Sequence, residues 1–208
     1  LYDDEVDDFS YAFRYYFDGI FRPFKQYALQ AIQKIESLKM SMIAPSHGPI
    51  LRTEPQKYVA KYKEWSDSPH KEGKDLIVFY ASAYGNTARM AREIAKAANA
   101  TGVRAAVMDV TAIHLPELLA QIEAADAIAV GSPTVNGDAV KPVWDLLSSL
   151  ATLKLRGKLG AAFGSFAWSG EAADLILERL KGLKFKMIEP PLKASLIPTE
   201  AELEKCWE

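Results

Sequence analysis

Cysteine is almost missing from this chain: one thiol, Cys206, stands among 208 residues. A single thiol excludes an internal disulfide and any multi-cysteine metal site, and it fits a reducing compartment. Excess positive charge is missing too. Lys and Arg number 25 against 27 Asp and Glu, a net charge of −2, so no basic field draws nucleic acid or an anionic lipid surface. No apolar run reaches the length that spans a bilayer, and no signal-peptide pattern opens the chain. Neither a nucleic acid nor a membrane is an expected partner. Internal repeats and low-complexity tracts are lacking as well. The first residue is Leu1 rather than Met, which raises the expectation of a fragment of something longer. What is present is ordinary for a globular protein, 49% hydrophobic and 25% charged, at a length that suits one large or two modest domains.

Two parts are visible along the chain. Residues 1–65 open on acids (Asp3, Asp4, Glu5, Asp7, Asp8) and continue into an aromatic stretch with Tyr11, Phe13, Tyr15, Tyr16 and Phe17. Ala28, Ile32, Ile35 and Leu38 recur at helical spacing and predict a helix over 22–38. Ser41-Met42-Ile43-Ala44 reads as a short strand leading into Pro45-Ser46-His47-Gly48-Pro49, and Tyr58, Tyr62 and Trp65 mark one more helix. So many aromatics with no opposing layer call for a partner surface. Residues 66–74 are polar, with Pro69 and Gly73, and read as a linker.

From Asp75 onward the pattern is regular. Strands are expected over 76–81, 103–109, 126–131, 158–165 and 184–188, the last resuming over 192–197. Helices are expected over 86–100, 115–123, 139–150 and 170–181. A final helix opens at Thr199, which stands three residues before Glu202 as a capping box requires. Strands alternating with helices predict an α/β domain over 75–208, a doubly wound parallel sheet of five strands in flavodoxin-like order.

In such a sheet, ligands bind outside the carboxyl ends of the strands, and three unusual loops fall there. The first is Ser82-Ala83-Tyr84-Gly85-Asn86-Thr87. Its two hydroxyls and the N–H groups from 83 to 87 can surround a phosphate at a helix start, and Gly85 lets the backbone come close. It holds no Lys or Arg and is neither a P-loop nor the dinucleotide glycine fingerprint. By itself it is equally an ordinary capped helix start. The second is Gly131-Ser132-Pro133-Thr134-Val135-Asn136-Gly137-Asp138, where Asn136-Gly137 suits positive φ and exposes peptide groups to the polar edge of a planar ring. Alone it is equally a turn between strand and helix. The third is Gly164-Ser165-Phe166-Ala167-Trp168-Ser169-Gly170, in which a Trp flanked by small residues stacks on a flat ligand or anchors the loop to the core. Three such loops on one edge point to one shared ligand with a terminal phosphate and a stackable, polar-edged ring. FMN has both parts.

These residues resemble a known family. Residues 75–208 are similar to the flavodoxin-like domain of flavodiiron proteins, or A-type flavoproteins, on the three loops just quoted. The stretch Ala44-Pro45-Ser46-His47-Gly48-Pro49-Ile50, followed by Tyr58 and Trp65, resembles the last part of that family's metallo-β-lactamase-like domain, as does the acidic-aromatic entry ending in Tyr15-Tyr16. The resemblance implies FMN as cofactor and a di-iron centre in the full-length protein, with His47 as one iron ligand. It implies reduction of dioxygen to water or of nitric oxide to nitrous oxide. Electrons would come from NAD(P)H through a flavin reductase, from rubredoxin or from ferredoxin. A head-to-tail homodimer would bring one chain's flavin beside its partner's irons. Tyr84-Gly85-Asn86-Thr87 with Pro198 and Thr199 is similar to the oxygenic-phototroph branch, whose members carry a further flavin-reductase domain. The implied location is the cytoplasm, or the chloroplast stroma in a photosynthetic eukaryote.

One departure from the family stands out. Its His-x-Glu-x-Asp-His motif is not in this chain, whose only histidines are His47, His70 and His114. One His cannot hold a di-iron site. The acids at 3–8 read as a solvated stretch, and His70 and His114 as surface residues. This chain is therefore expected to keep the flavin part of the chemistry and to lack a complete iron site. Three other readings stand beside it. One is a stand-alone flavodoxin-like FMN carrier. Another is a flavin-free binding module on the same fold. The third is a quinone or NAD(P)H reductase, against which the His47 segment argues.

Overall fold

The computed structural model describes residues 1–67, 73–113 and 115–207, with the side chains of 115–117 and 120 excepted. His70, His114 and most of the expected linker lie outside the described residues. The chain divides into two compact units, Leu1–His70 and Lys71–Glu208.

In the first unit α1 (Ser10–Tyr16) runs through a π turn (Phe17–Phe21) and a 3-10 turn (Arg22–Phe24) into α2 (Lys25–Ile35), and α3 covers Pro55–Ser66. The helix expected over 22–38 thus begins three residues later and ends three earlier. Pro23 has no N–H to donate to a preceding turn, so the ladder tightens there before the α-helix resumes. Phe9, Phe13, Phe17 and Phe21 are spaced by four, which drifts around a helix of 3.6 residues per turn. The wider π turn takes up that drift, and these rings meet α3. Phe13 lies 5.3 Å from Tyr58 and 5.2 Å from Trp65, and Phe17 lies 5.0 Å from Tyr62. Much of the aromatic surface expected to need a partner is covered from within, although Tyr11, Tyr15 and Tyr27 remain exposed. The strand expected at 41–44 is only a bridge from Ile43 to Leu51. Pro45 and Pro49 lack the N–H groups that would extend a ladder.

The second unit is built on β1 (Asp75–Tyr80), β2 (Arg104–Asp109), β3 (Ala127–Val135), β4 (Asp138–Ala139), β5 (Leu159–Phe166), β6 (Lys186–Met187) and β7 (Leu192–Ser195). Its helices are α4 (Asn86–Ala100), α5 (Leu115–Ala124), α6 (Lys141–Ser149), α7 (Glu171–Gly182) and α8 (Glu200–Glu204). The strand order is β2-β1-β3-β5, with β6 and β7 pairing successive stretches of β5 as one interrupted edge strand. All of these pairs are parallel, and this is the flavodoxin-like order.

Successive residues of a strand face opposite sides of the sheet. Ile77, Phe79, Ile128 and Val130 therefore pack on one face, under Ile122 of α5, Leu146 of α6 and Ile176 of α7. Val78, Ala129 and Phe163 pack on the other, under Met90 and Ala91 of α4 and Leu203 of α8. Two covered faces explain why the strands read as continuous apolar runs. The capping box at the start of α8 is complete: Thr199 Oγ1 accepts from Glu202 N at 3.3 Å, and Thr199 N donates to Glu202 Oε2 at 2.8 Å.

One difference reshapes the ligand edge. β3 was expected to end at 131, but it continues to Val135 and turns back as β4, with Thr134 opposite Ala139 and Val135 opposite Asp138. Asn136 and Gly137 make the turn with φ of 53° and 74°, a hairpin geometry that Asn-Gly favours. Pro133 is tolerated because it falls in the gap between the two pairings, after β1 ends opposite Gly131 and before β4 begins opposite Thr134.

Candidate functional site

The first loop leaves β1 and enters α4 through Gly85, whose φ of +83° suits glycine. No side chain caps this 15-residue helix. Among the described residues, no N–H from Ser82 to Ala88 donates a hydrogen bond, and the first that does is Arg89, to Gly85 O at 2.9 Å. Unmet donors at a helix N-terminus, with the positive end of its dipole, form an anion site. A Cβ built at Gly85 meets no atom within 4 Å, so the cradle opens on free space. Tyr84 stands over it 93% exposed.

Thr87 also has a partner from the third loop. It is fully buried, and its hydroxyl lies 2.8 Å from that of Ser165, so it is not simply one more free donor on the loop.

The second loop is the β3–β4 hairpin. Ser132 is buried and closes its base, donating to Pro133 O at 2.8 Å and accepting from Val140 N at 3.0 Å. Asp138 Oδ1 accepts from Ala139 N at 2.7 Å and from Trp144 Nε1 at 2.9 Å, which ties the hairpin to α6. Val135, Asn136 and Gly137 are exposed at the tip, where a Cβ built at Gly137 also meets nothing within 4 Å.

The third loop joins β5 to α7. Phe166 packs beneath Gly170, where a Cβ would come within 2.9 Å of the ring. Ala167, Trp168 and Ser169 are exposed. Trp168 is 96% exposed, so it does not anchor the loop to the core, and its flat face is free.

The structure draws the three loops together. Ala81 N donates to Gly131 O at 3.1 Å, joining the first to the second. Pro133 pairs with Ser165, and Ala172 N donates to Thr134 Oγ1 at 3.3 Å, joining the second to the third. The Thr87–Ser165 pair joins the first to the third. Two glycines allow this closeness. A Cβ at Gly164 would lie 2.5 Å from Ser132 O, and one at Gly131 would lie 2.2 Å from the Phe163 ring. The ensemble offers a dipolar anion cradle without a cation, exposed peptide groups and a bare aromatic face, which fits the phosphate and ring of FMN.

A fourth loop at this edge was not foreseen. Leu196, after β7, donates its N–H to Phe166 O at 2.7 Å with φ of 53°. Arg89 of α4 donates to Pro198 O at 3.0 Å and pairs with Glu200 at 2.6 Å. Leu196 and Ile197 are exposed beside the third loop. Nothing in Leu-Ile-Pro signals a left-handed residue; only the capping box that follows marked the place.

His47 lies in the first unit. It lines an apolar cavity of about 590 Å³ with Phe13, Tyr16, Ile32, Met40 and Tyr62, its ring 5.6 Å from that of Tyr16. Among the described residues, no three His, Cys, Asp or Glu side chains gather as metal ligands. The acids at the amino end are engaged elsewhere. Asp3 accepts from Arg52 N at 2.9 Å, which helps hold its carboxyl below the usual range, and Asp4 pairs with the Arg52 guanidinium at 3.0 Å. The donor set does not fit a di-iron centre.

Comparisons with known proteins agree with this geometry. The Flavodoxin family matches residues 78–208. "Type A flavoprotein fprA" of Rhodobacter capsulatus is 46% identical over 99% of this chain and 48% of its own length. "Flavo-diiron protein FprA2" of Clostridium acetobutylicum is 34% identical over 94% of this chain and 50% of its own length. The solved rubredoxin oxygen:oxidoreductase of Desulfovibrio gigas superposes with a TM-score of 0.73 at 31% identity, over 99% of this chain and 52% of that one. The chain spans about half the length of the curated relatives it matches. Cyanobacterial relatives are less similar than the first two, so the phototroph reading of the first loop gains no support.

Proposed function

Because the chain belongs to the flavodoxin family over residues 78–208 and, along its length, to the flavodiiron or type A flavoproteins, we propose that its second unit is the FMN-binding, electron-transferring part of an oxidoreductase. One observation carries the reading. An unmet N–H cradle and a bare Trp168 stand on loops bonded to one another. Bound FMN supplies the redox chemistry, and the protein supplies position and electrostatics. Ser82 to Ala88 hold the phosphate through their N–H groups and the α4 dipole. Trp168 covers the ring, and the Asn136-Gly137 turn presents peptide groups to its polar edge.

The acceptor we propose for the whole protein is dioxygen, reduced to water, with nitric oxide reduced to nitrous oxide as the second choice. The solved relative is a rubredoxin oxygen:oxidoreductase, which supports dioxygen and a rubredoxin-type donor. Ferredoxin, or NAD(P)H through a flavin reductase, are the other donors considered. We read the first unit as the last part of a metallo-β-lactamase-like domain, the linker as lying between it and Asp75, and the assembly as a head-to-tail homodimer. The described residues build no complete iron site, and His47 is the single iron ligand this chain contributes in this reading. Cytoplasmic residence follows from the same reading.

Substitution of Trp168 tests it. Trp168→Ala should raise the dissociation constant of FMN about three- to tenfold, the size of one aromatic stacking contact. Riboflavin binding should weaken by the same factor, since both flavins share the ring. Unchanged affinity for both would remove Trp168 and the third loop from the site.

A further inference from the structure

The buried hydroxyl pair at the junction of the first and third loops has one proton too many. Thr87 and Ser165 are 0% and 6% exposed, with their oxygens 2.8 Å apart. Two hydroxyls carry two protons, and the bond between them uses one. Neither oxygen makes another hydrogen bond among the described residues. A buried donor without an acceptor is destabilising, and native structures rarely leave one so. The spare proton therefore marks a place for an acceptor that is not part of the protein.

The two ways of ordering the pair are not equivalent. If Thr87 donates to Ser165, the spare proton sits on Ser165, which is flanked in the sheet by Pro133 and Ala194, side chains without an acceptor atom. If Ser165 donates to Thr87, the spare proton sits on Thr87, in the first turn of α4 within the cradle of unmet N–H groups. We propose that Ser165 is a positioning residue for the cofactor's phosphate: it donates to Thr87 Oγ1 and so turns the Thr87 O–H toward the anion. A hydroxyl that accepts one hydrogen bond also donates a stronger one. The inference rests on the reading of the cradle as a phosphate site, and it makes Ser165 a determinant of FMN over its dephosphorylated form. The bond spans 78 positions of sequence, so the third loop serves both ends of the ligand, the ring through Trp168 and the phosphate through Ser165.

The test is a pair of titrations on the 208-residue chain, one with FMN and one with riboflavin, for the wild type and four variants. Ser165→Ala should weaken FMN about five- to tenfold, the effect of losing one ordinary hydrogen bond. Its riboflavin affinity should stay within about twofold of wild type, near the scatter expected of an unrelated site. Thr87→Val should behave alike, and Thr87→Val/Ser165→Ala should be no worse than Thr87→Val alone, because the two groups act in series. Thr87→Ser keeps the hydroxyl and should keep wild-type FMN affinity. Equal loss for both flavins would overturn the proposal, since a pair that merely clamps the loops cannot tell them apart. Losses that multiply in the double variant, or an FMN affinity that Ser165→Ala leaves unchanged, would also overturn it. A wild-type chain that binds neither flavin would overturn the cradle reading itself.

Discussion

The two units solve the burial of apolar surface in different ways. In the second, helices cover both faces of the sheet, and Phe79, Val130, Leu146 and Ile176 are all at or below 1% exposure. In the first, three helices close a cluster of rings around Phe17 but leave an apolar cavity of about 590 Å³ open beside it. The contrast carries over to function. The second unit brings three loops to one edge and bonds them to one another. The first brings one histidine into an apolar cavity where, among the described residues, no other ligand joins it. A sheet with both faces covered fixes its loop ends and can build a site by itself, whereas an irregular helical layer supplies single residues to a site built elsewhere.

The largest effects should come from cutting each core in turn. Phe79→Ala removes a fully buried ring from between β1 and its helices and should cost about 3–5 kcal/mol. Flavin retention should fall with it, because the loops are hung on that sheet. Phe17→Ala removes an equally buried ring from the first unit and should leave FMN affinity unchanged. Denaturant unfolding followed by flavin fluorescence would check both. An FMN affinity that falls as far in Phe17→Ala as in Phe79→Ala would end the claim that the second unit holds the site alone.

A smaller effect should follow pH. The Thr199 and Ser195 N–H groups donate to Glu202 and hold its carboxyl below the usual range. A value depressed by folding gives stability that is present above the unfolded value and lost as pH falls through the folded one. The thermal midpoint of wild type should therefore exceed that of Glu202→Gln at neutral pH, and the gap should close below about pH 4, the ordinary carboxylate range. A gap that persists in acid would show that the carboxylate charge is not what holds the α8 cap.

The regular half of the chain was the legible half, for physical reasons. α4 runs over Asn86–Ala100 as its pattern predicts, and the Thr199–Glu202 box forms as spaced, because both signals are local. The pattern ends β3 at 131, whereas the strand runs on through Pro133 to Val135. Only the topology, which places Pro133 between the end of the β1 pairing and the start of the β4 pairing, shows that the missing N–H is harmless there. The Thr87 hydroxyl is legible as a phosphate ligand, but its Ser165 partner is not, because it comes from a strand far along the chain. Leu196 carries no turn signal at all. In the first unit, a strand read from Met42 and Ile43 proved to be one bridge, since short apolar runs do not say whether a partner strand exists.

The central claim is that the second unit holds a complete cofactor site and the first does not hold a complete metal site. The most direct test is to incubate the purified chain with FMN and ferrous iron without oxygen, desalt it, and measure flavin absorbance and iron together. The account predicts close to one FMN per chain, and iron well below the two per chain that a di-iron centre requires. Iron at that level with no flavin retained would contradict it on both sides.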